Sequence, residues 1–225
     1  MAEFRDFDAL FEIAAARKGG VEAFEATLPK VKTPRQLARI ADDRWLSMMA
    51  RCVFQAGFNW KVVDQKWPGF EEAFDGFDPG RWSMMSDDDL DRLLKDTRVV
   101  RHAKKLQSVG DNALFLRDLA AERGTASRFF ADWPDEDYVG LLQILKKRGS
   151  RLGGATGQYF LRFMGKDSFI TGGDVVKALI REGIVDKQPS SQKDLARVQE
   201  AFNHWRDQSG RPMAHISRTL ACTIE

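Results

Sequence analysis

The stretch LKKRGSRLGGATGQYFLRFMG, residues 145–165, decides the fold. It sets a tight glycine turn between two segments of helical spacing, YVGLLQILKKRG before it and ATGQYFLRFMG after it. Two nucleotide-cofactor readings fail. A P-loop needs a Lys-Ser/Thr pair after its glycines, and GGATGQY has none. A dinucleotide fold needs a buried strand ahead of the glycines, where this chain has a charged helix end. Two readings remain open: a hairpin of two helices whose backbone N–H groups face a phosphate, or a solvated basic helix end closed by a glycine. From Tyr138 to Lys166 there is no acidic residue, while Lys146, Lys147, Arg148, Arg151, Arg162 and Lys166 all fall in that window. Local positive charge beside a glycine turn is what backbone-phosphate recognition requires.

The same helical spacing extends outward in both directions. In FRDFDALFEIAAARKG the apolar positions Phe4, Phe7, Leu10 and Phe11 recur at three and four residues. Thr33 before Pro34 is a helix start, and the segment it opens is one long helix or two meeting near Ala41. NWKVVDQKWPGFEEAFDGF follows as one or two short helices broken at Pro68-Gly69. DPGRWSMM reads as a turn and a short helix, and Ser86 caps DDDLDRLLKD with acidic residues in its first turn. Ala103, Leu106, Val109 and Leu114 mark one face of the next helix. No strand alternation, linker or fixed-period repeat is present. The expectation is an all-α globule of about ten short helices.

Composition bounds the rest. A chain of 225 residues with 43% hydrophobic residues and sixteen Phe can bury a substantial core. Its net charge of +2 neither demands nor excludes nucleic acid, so a basic footprint has to be local. No apolar run reaches the roughly 20 residues of a bilayer span, and the acidic N-terminus lacks the parts of a secretion signal. Cys52 and Cys222 give no disulfide framework. The expected setting is the cytoplasm.

With those residues in place, LGGATGQYFLRF resembles the helix-hairpin-helix element of DNA-repair glycosylases, which reads approximately L-P-G-V-G-x-x-T-A. Leu152, Gly154 and Ala155 fall on its leucine, first glycine and hydrophobic positions, and Thr156 takes the second glycine's place. The segment QAGFNWKVVDQKWPGFEEAFDGFDPGRW, with the RHAKK and GDNA runs after it, is similar to DNA-3-methyladenine glycosylase I. That family shows Q-A-G-L-S-W, F-x-x-F-D-P, I-R-x-x-x-K-I and G-N-A in this order. Gln55, Ala56, Gly57, Trp60, Phe77, Asp78, Pro79, Arg101, Lys105 and Asn112 fall on those positions. The resemblance covers residues 45–180. It implies one helix-hairpin-helix glycosylase-like unit over 1–225, with the N- and C-terminal helices packing on that core.

What the resemblance implies for chemistry can be placed residue by residue. Gly153, Gly154, Ala155 and Thr156 would hold a DNA phosphate, assisted by Arg151 and Lys147, with a monovalent cation at the hairpin when DNA is bound. Trp60 would stack on a flipped-out base, its indole suiting a cationic purine. Cys52, Gln55, Asn59 and Phe54 would complete the base pocket, although core packing is the simpler role for Phe54 and Phe58. The departures are as informative. Cys52 stands where the family carries a pocket glutamate, and Gly172 where the wider superfamily has its aspartate. Asp174 is left as a cap of VVKALIREG. Gln158 replaces the lyase lysine, which removes Schiff-base chemistry. The family's Cys/His zinc clip has no counterpart in the first fifty positions, so no metal is expected. Asp64 is the nearest downstream carboxylate, with nothing in the sequence to position it. The expected protein is a monomeric, monofunctional glycosylase acting on double-stranded DNA that carries an alkylated base such as 3-methyladenine, with no protein cofactor and no membrane partner. The alternative is a catalytically weak or inactive DNA-binding protein on the same scaffold.

Overall fold

The computed structural model describes residues 4–225, and no strand occurs among them. Fourteen α-helices follow one another among these residues. They are α1 (Phe7–Arg17), α2 (Val21–Glu25), α3 (Pro34–Leu37), α4 (Asp42–Gln55), α5 (Trp60–Ala73), α6 (Pro79–Trp82), α7 (Asp87–Lys95), α8 (Ala103–Arg123), α9 (Ala126–Asp132), α10 (Tyr138–Arg148), α11 (Ala155–Met164), α12 (Gly173–Arg181), α13 (Gln192–Ser209) and α14 (Met213–Cys222). The all-α expectation holds, with more helices than the ten expected. The surplus is in single-turn pieces too short to show a hydrophobic period. α3 and α6 each begin on a proline whose fixed φ suits the first helical position, with Thr33 and Asp78 as side-chain caps.

The chain divides into two compact units. One comprises Lys32–Trp133 and Leu141–Lys166. Its core is aromatic: Trp45 stacks on Phe130 with centroids 4.5 Å apart, and Phe160 meets both rings edge-on. A second layer runs through Trp67, Phe70, Phe74 and Phe77. Trp82 closes it, donating its indole N–H to Phe74 O at 2.6 Å. The other unit comprises Met1–Val31, Pro134–Gly140 and Asp167–Glu225. There Phe202 stacks on Phe169 at 4.3 Å and meets Trp205 edge-on. Buried Asp167 takes the Met213 and Ala214 N–H groups at 3.0 and 2.9 Å. It thus caps α14, whose own N-cap residue is a proline without a side-chain acceptor.

Four local readings are settled by packing. Ala41 is the N-cap of α4, so the segment after Thr33 is two helices. Pro68 does not break α5, which runs through it. The lost N–H and the ring's crowding of the Asp64 carbonyl are outweighed by the flanking Trp67–Phe70 stack and the Trp67 indole bond to Glu71 at 3.1 Å. On α8 the core face is Leu106, Val109, Ala113, Leu116 and Leu119, whereas Leu114 is 52% exposed and Ala103 faces solvent. The 3.6-residue period turns Leu114 away from the face that Leu106 and Val109 define. Asp174 lies inside the first turn of α12 behind the N-cap Gly172, and bonds Lys177 at 3.1 Å. It therefore complements the helix dipole rather than capping the helix.

Candidate nucleic-acid interface

Backbone geometry builds the hairpin. α10 closes with Gly149 N–H on Leu145 O at 3.0 Å, and the chain reverses over residues 150–154 before α11 begins. Gly154, the N-cap of α11, sits at φ 60°, ψ −137°, a conformation open essentially to glycine alone. Gly157 meets the turn so closely that a Cβ there would lie 2.4 Å from Leu152 O. Arg151 adopts φ +62°, a left-handed conformation that costs a non-glycine residue about 1 kcal/mol. The turn is held from α8 by Asn112. Its amide oxygen accepts Ser150 N–H at 2.8 Å and its NH2 donates to Ser150 O at 3.0 Å. No side chain caps α11, so its first-turn N–H groups point outward with the positive end of the helix dipole.

Beside the turn lies a cavity of about 370 Å³, lined by Val53 and Ala56 of α4, Lys105 of α8, and Arg151, Gly153 and Thr156 of the hairpin. None of these residues is acidic, and two are cations. Lys105 is 8% exposed and donates to Ala56 O at 2.7 Å and Phe54 O at 3.2 Å, which satisfies carbonyls at the end of α4. Burial, followed by the charge of Arg151, lowers the Lys105 pKa. The cavity therefore holds positive charge that the protein leaves without a carboxylate.

The hairpin residues named from sequence are thus brought together with each other: Arg151, Gly153 and Thr156 face one cavity, and Gly154 and Ala155 form the helix start above it. Lys147 is exposed in the last turn of α10. Two cations of the acid-free window have other work. Arg148 pairs with Glu122 at 2.6 Å, and buried Lys166 donates to Trp133 O at 2.6 Å. A monovalent cation would need oxygen donors. Ser150 O is taken by Asn112, Gly154 O by Gln158 N, and Leu152 O lies against Gly157, so the carbonyls of Arg151 and Gly153 are the ones such a role would use. Among the described residues, no group of three or more His, Cys, Asp or Glu is arranged to hold a metal ion.

The base-pocket residues are distributed along α4 and the start of α5. Trp60 opens α5, is 40% exposed, and meets Tyr159 and Phe163 of α11 edge-on at 5.0 and 6.0 Å. Its ring therefore projects beside the second hairpin helix. Asn59 is the N-cap of α5, its side-chain oxygen engaged by Lys61 N–H at 3.0 Å. Phe54 is fully buried, edge-on to Phe70 at 4.7 Å, whereas Phe58 is 45% exposed. Cys52 is buried, and burial pushes its thiol up to about 12, so it is neutral and lacks a carboxylate's charge. Gln55 is buried and donates its side-chain NH2 to Asp64 at 2.8 Å. Three contributors were not singled out from sequence as site residues. Lys105 and Asn112 carried a signal in their motif positions, but nothing in the chain's order showed that they reach the hairpin. Asp64 is positioned after all, by Gln55 and Arg51.

This arrangement is that of a helix-hairpin-helix glycosylase-like fold. The chain belongs to the methyladenine glycosylase family, whose model matches residues 37–150, half of the chain. That match ends at Ser150, so the glycine turn lies beyond it. DNA-3-methyladenine glycosylase 1 of Escherichia coli K12 is 36% identical over 59 residues, which is 26% of this chain and 32% of that protein. The chain thus matches about a third of the length of that curated relative. The structure of 3-methyladenine DNA glycosylase I from Staphylococcus aureus superposes with a TM-score of 0.50 at 26% identity, over 56% of this chain and 77% of the other. The 8-oxoguanine glycosylase/lyase of Methanocaldococcus jannaschii, solved with DNA, reaches a TM-score of 0.57 over 95% of both chains. At 11% identity that likeness concerns the fold alone.

Proposed function

We propose that the protein is a monofunctional DNA glycosylase of base excision repair that hydrolyses the N-glycosidic bond of an alkylated purine, 3-methyladenine being the model substrate, in double-stranded DNA. The observation that carries this reading is the uncapped α11 N-terminus above a cavity holding Lys105 and Arg151 without a carboxylate. A DNA phosphate supplies the missing negative charge: first-turn N–H groups bond its oxygens while the two cations neutralise it. The carbonyls of Arg151 and Gly153 would hold a monovalent cation, which would add charge to the same contact. Trp60, exposed beside the hairpin helix, offers an indole face to the extruded base.

A purine alkylated at N3 is already cationic. When the glycosidic bond breaks, its electron pair goes to the base, which leaves neutral, and the positive charge passes to the sugar, where water adds at C1 and releases its proton to solvent. Such a leaving group needs no proton from an acid, which fits a site whose buried Cys52 thiol is neutral. No lysine occupies the hairpin-helix position of Gln158, so the reaction stops at the abasic site.

The test is incubation with methylated duplex DNA, with free bases quantified by chromatography. Wild type should release 3-methyladenine, and Trp60→Ala should reduce release at least tenfold. A second reading has one observation in its favour, the missing carboxylate at Cys52: a binding-only protein. Salt-sensitive DNA binding without base release, together with activity appearing in Cys52→Glu, would establish it in place of the first.

A further inference from the structure

The face of α5 that packs on α4 carries one residue per turn in a regular ladder. Glu71 takes Arg44 through both guanidinium nitrogens, at 3.0 Å each, and Ser47 Oγ. Arg51 lies over the Trp67 ring, 5.9 Å from its centroid. Asp64 Oδ1 accepts from Arg51 Nε at 3.0 Å and from Gln55 Nε2 at 2.8 Å, and lies 2.9 Å from Arg51 Nη2 as an ion pair. The next rung on this face, one turn earlier on α5 and beyond the end of α4, is Trp60. Gln55 therefore lies against the turn of α5 that presents the exposed tryptophan.

The ladder fixes which way the Gln55 amide points. A carboxylate only accepts hydrogen bonds, so the NH2 group has to face Asp64 and the carbonyl oxygen has to face away. That oxygen, Oε1, is buried and has no hydrogen-bond donor, although the residue is only 3% exposed. A buried acceptor without a donor is costly and calls for a partner from outside the chain. Arg51 in turn donates through Nε to the same Asp64 oxygen and sets its Nη2 2.9 Å from it, so that oxygen stays turned toward Arg51 and Gln55 and the amide has no reason to flip. The thiol of Cys52, three residues earlier on α4, is neutral and offers no competing charge.

We propose that Asp64 and Arg51 are positioning residues that lock Gln55 as a hydrogen-bond acceptor for an N–H donor on the extruded base, namely an exocyclic amine at purine position 6. This rests on the glycosylase reading and deepens it. The locked acceptor selects adenine lesions over guanine lesions, because guanine carries a carbonyl oxygen at that position and would set two acceptors against each other. Leucine at position 64 removes the lock, since it neither accepts nor donates and Gln55 can then turn either way.

The experiment is single-turnover release of 3-methyladenine and 3-methylguanine from the same methylated duplex DNA, by wild type, Asp64→Leu and Gln55→Met, with melting temperatures measured alongside. Asp64→Leu should lower the ratio of adenine to guanine release about tenfold, the loss of one oriented hydrogen bond. Gln55→Met, which keeps the volume and loses the acceptor, should lower it by a similar factor. It also decides the matter if Asp64→Leu fails to fold. A purely structural role would slow both releases in parallel and leave the ratio unchanged, which overturns the proposal. No release of either base by wild type overturns the glycosylase reading and this inference with it. Release by wild type with an unchanged ratio in both variants overturns the inference alone.

Discussion

Asn112→Ala isolates the hairpin's contribution to DNA binding because it removes no charge. In the native protein one buried amide satisfies both backbone groups of Ser150, accepting at 2.8 Å and donating at 3.0 Å. Each bond contributes about 0.5–1.5 kcal/mol net, and alanine returns neither, so unfolding in urea should show a loss of roughly 2 kcal/mol. Ser150 is half-buried, so water reaches part of the freed turn and keeps the loss from rising further. The freed turn then samples several conformers, and a shift of about 1.4 kcal/mol against the clamped one weakens phosphate binding about tenfold. Fluorescence anisotropy with a labelled duplex, at salt from about 50 to 200 mM, checks this. The slope of log affinity against log salt should stay at the wild-type value, because no cation is lost. Arg151→Gln is the companion: its slope should flatten by about 0.9, one phosphate contact. Wild-type affinity in a destabilised Asn112→Ala protein would refute the reasoning, since the clamp would then not shape the binding surface. An unchanged slope in Arg151→Gln would refute the assignment of the charge.

Two further outcomes follow from the geometry. Gly157→Ala places a Cβ 2.4 Å from Leu152 O, so the hairpin has to open; DNA binding should be lost together with a drop in melting temperature of several degrees, about 1–3 kcal/mol of overpacking. Asp89 forms the capping box with Ser86 and accepts from Arg81, and the Arg81 bond, followed by those from Ser86, holds its carboxyl down to about 2. Because the folded value lies below the unfolded one, this stabilisation is complete above about pH 4 and is lost as pH falls through about 2. Asp89→Asn should therefore cost about 1 kcal/mol at neutral pH and make acid unfolding between those limits shallower.

The fold was legible because glycines and caps punctuate a strong helical period. The chain from Thr33 through Ser86 to Gly154 shows its helix starts in residue type alone, and the structure places each of them at a helix boundary. Pro68 and Leu114 misled for a shared reason, since packing decided both: an aromatic stack carries α5 through its proline, and core contact on α8 selects one face and leaves a leucine outside. At the site, the hairpin was legible because its requirements are local; a turn that only glycine can make has to be written in adjacent residues. Asn112, Lys105 and Asp64 were not, because each acts across helices, where sequence separation hides the contact. The most instructive case is Asp64. From sequence it was a carboxylate with nothing to position it, beside a cysteine where the resemblance called for a glutamate. Arg51 and Gln55 hold it on the stripe that leads to Trp60. On the proposed reading, the carboxylate that the resemblance expects on α4 gives way to one on α5, which would reach a base only through the amide it orients. Direct charge on the base would then be replaced by a fixed polarity at its edge, which a cationic leaving group tolerates because it departs without an acid.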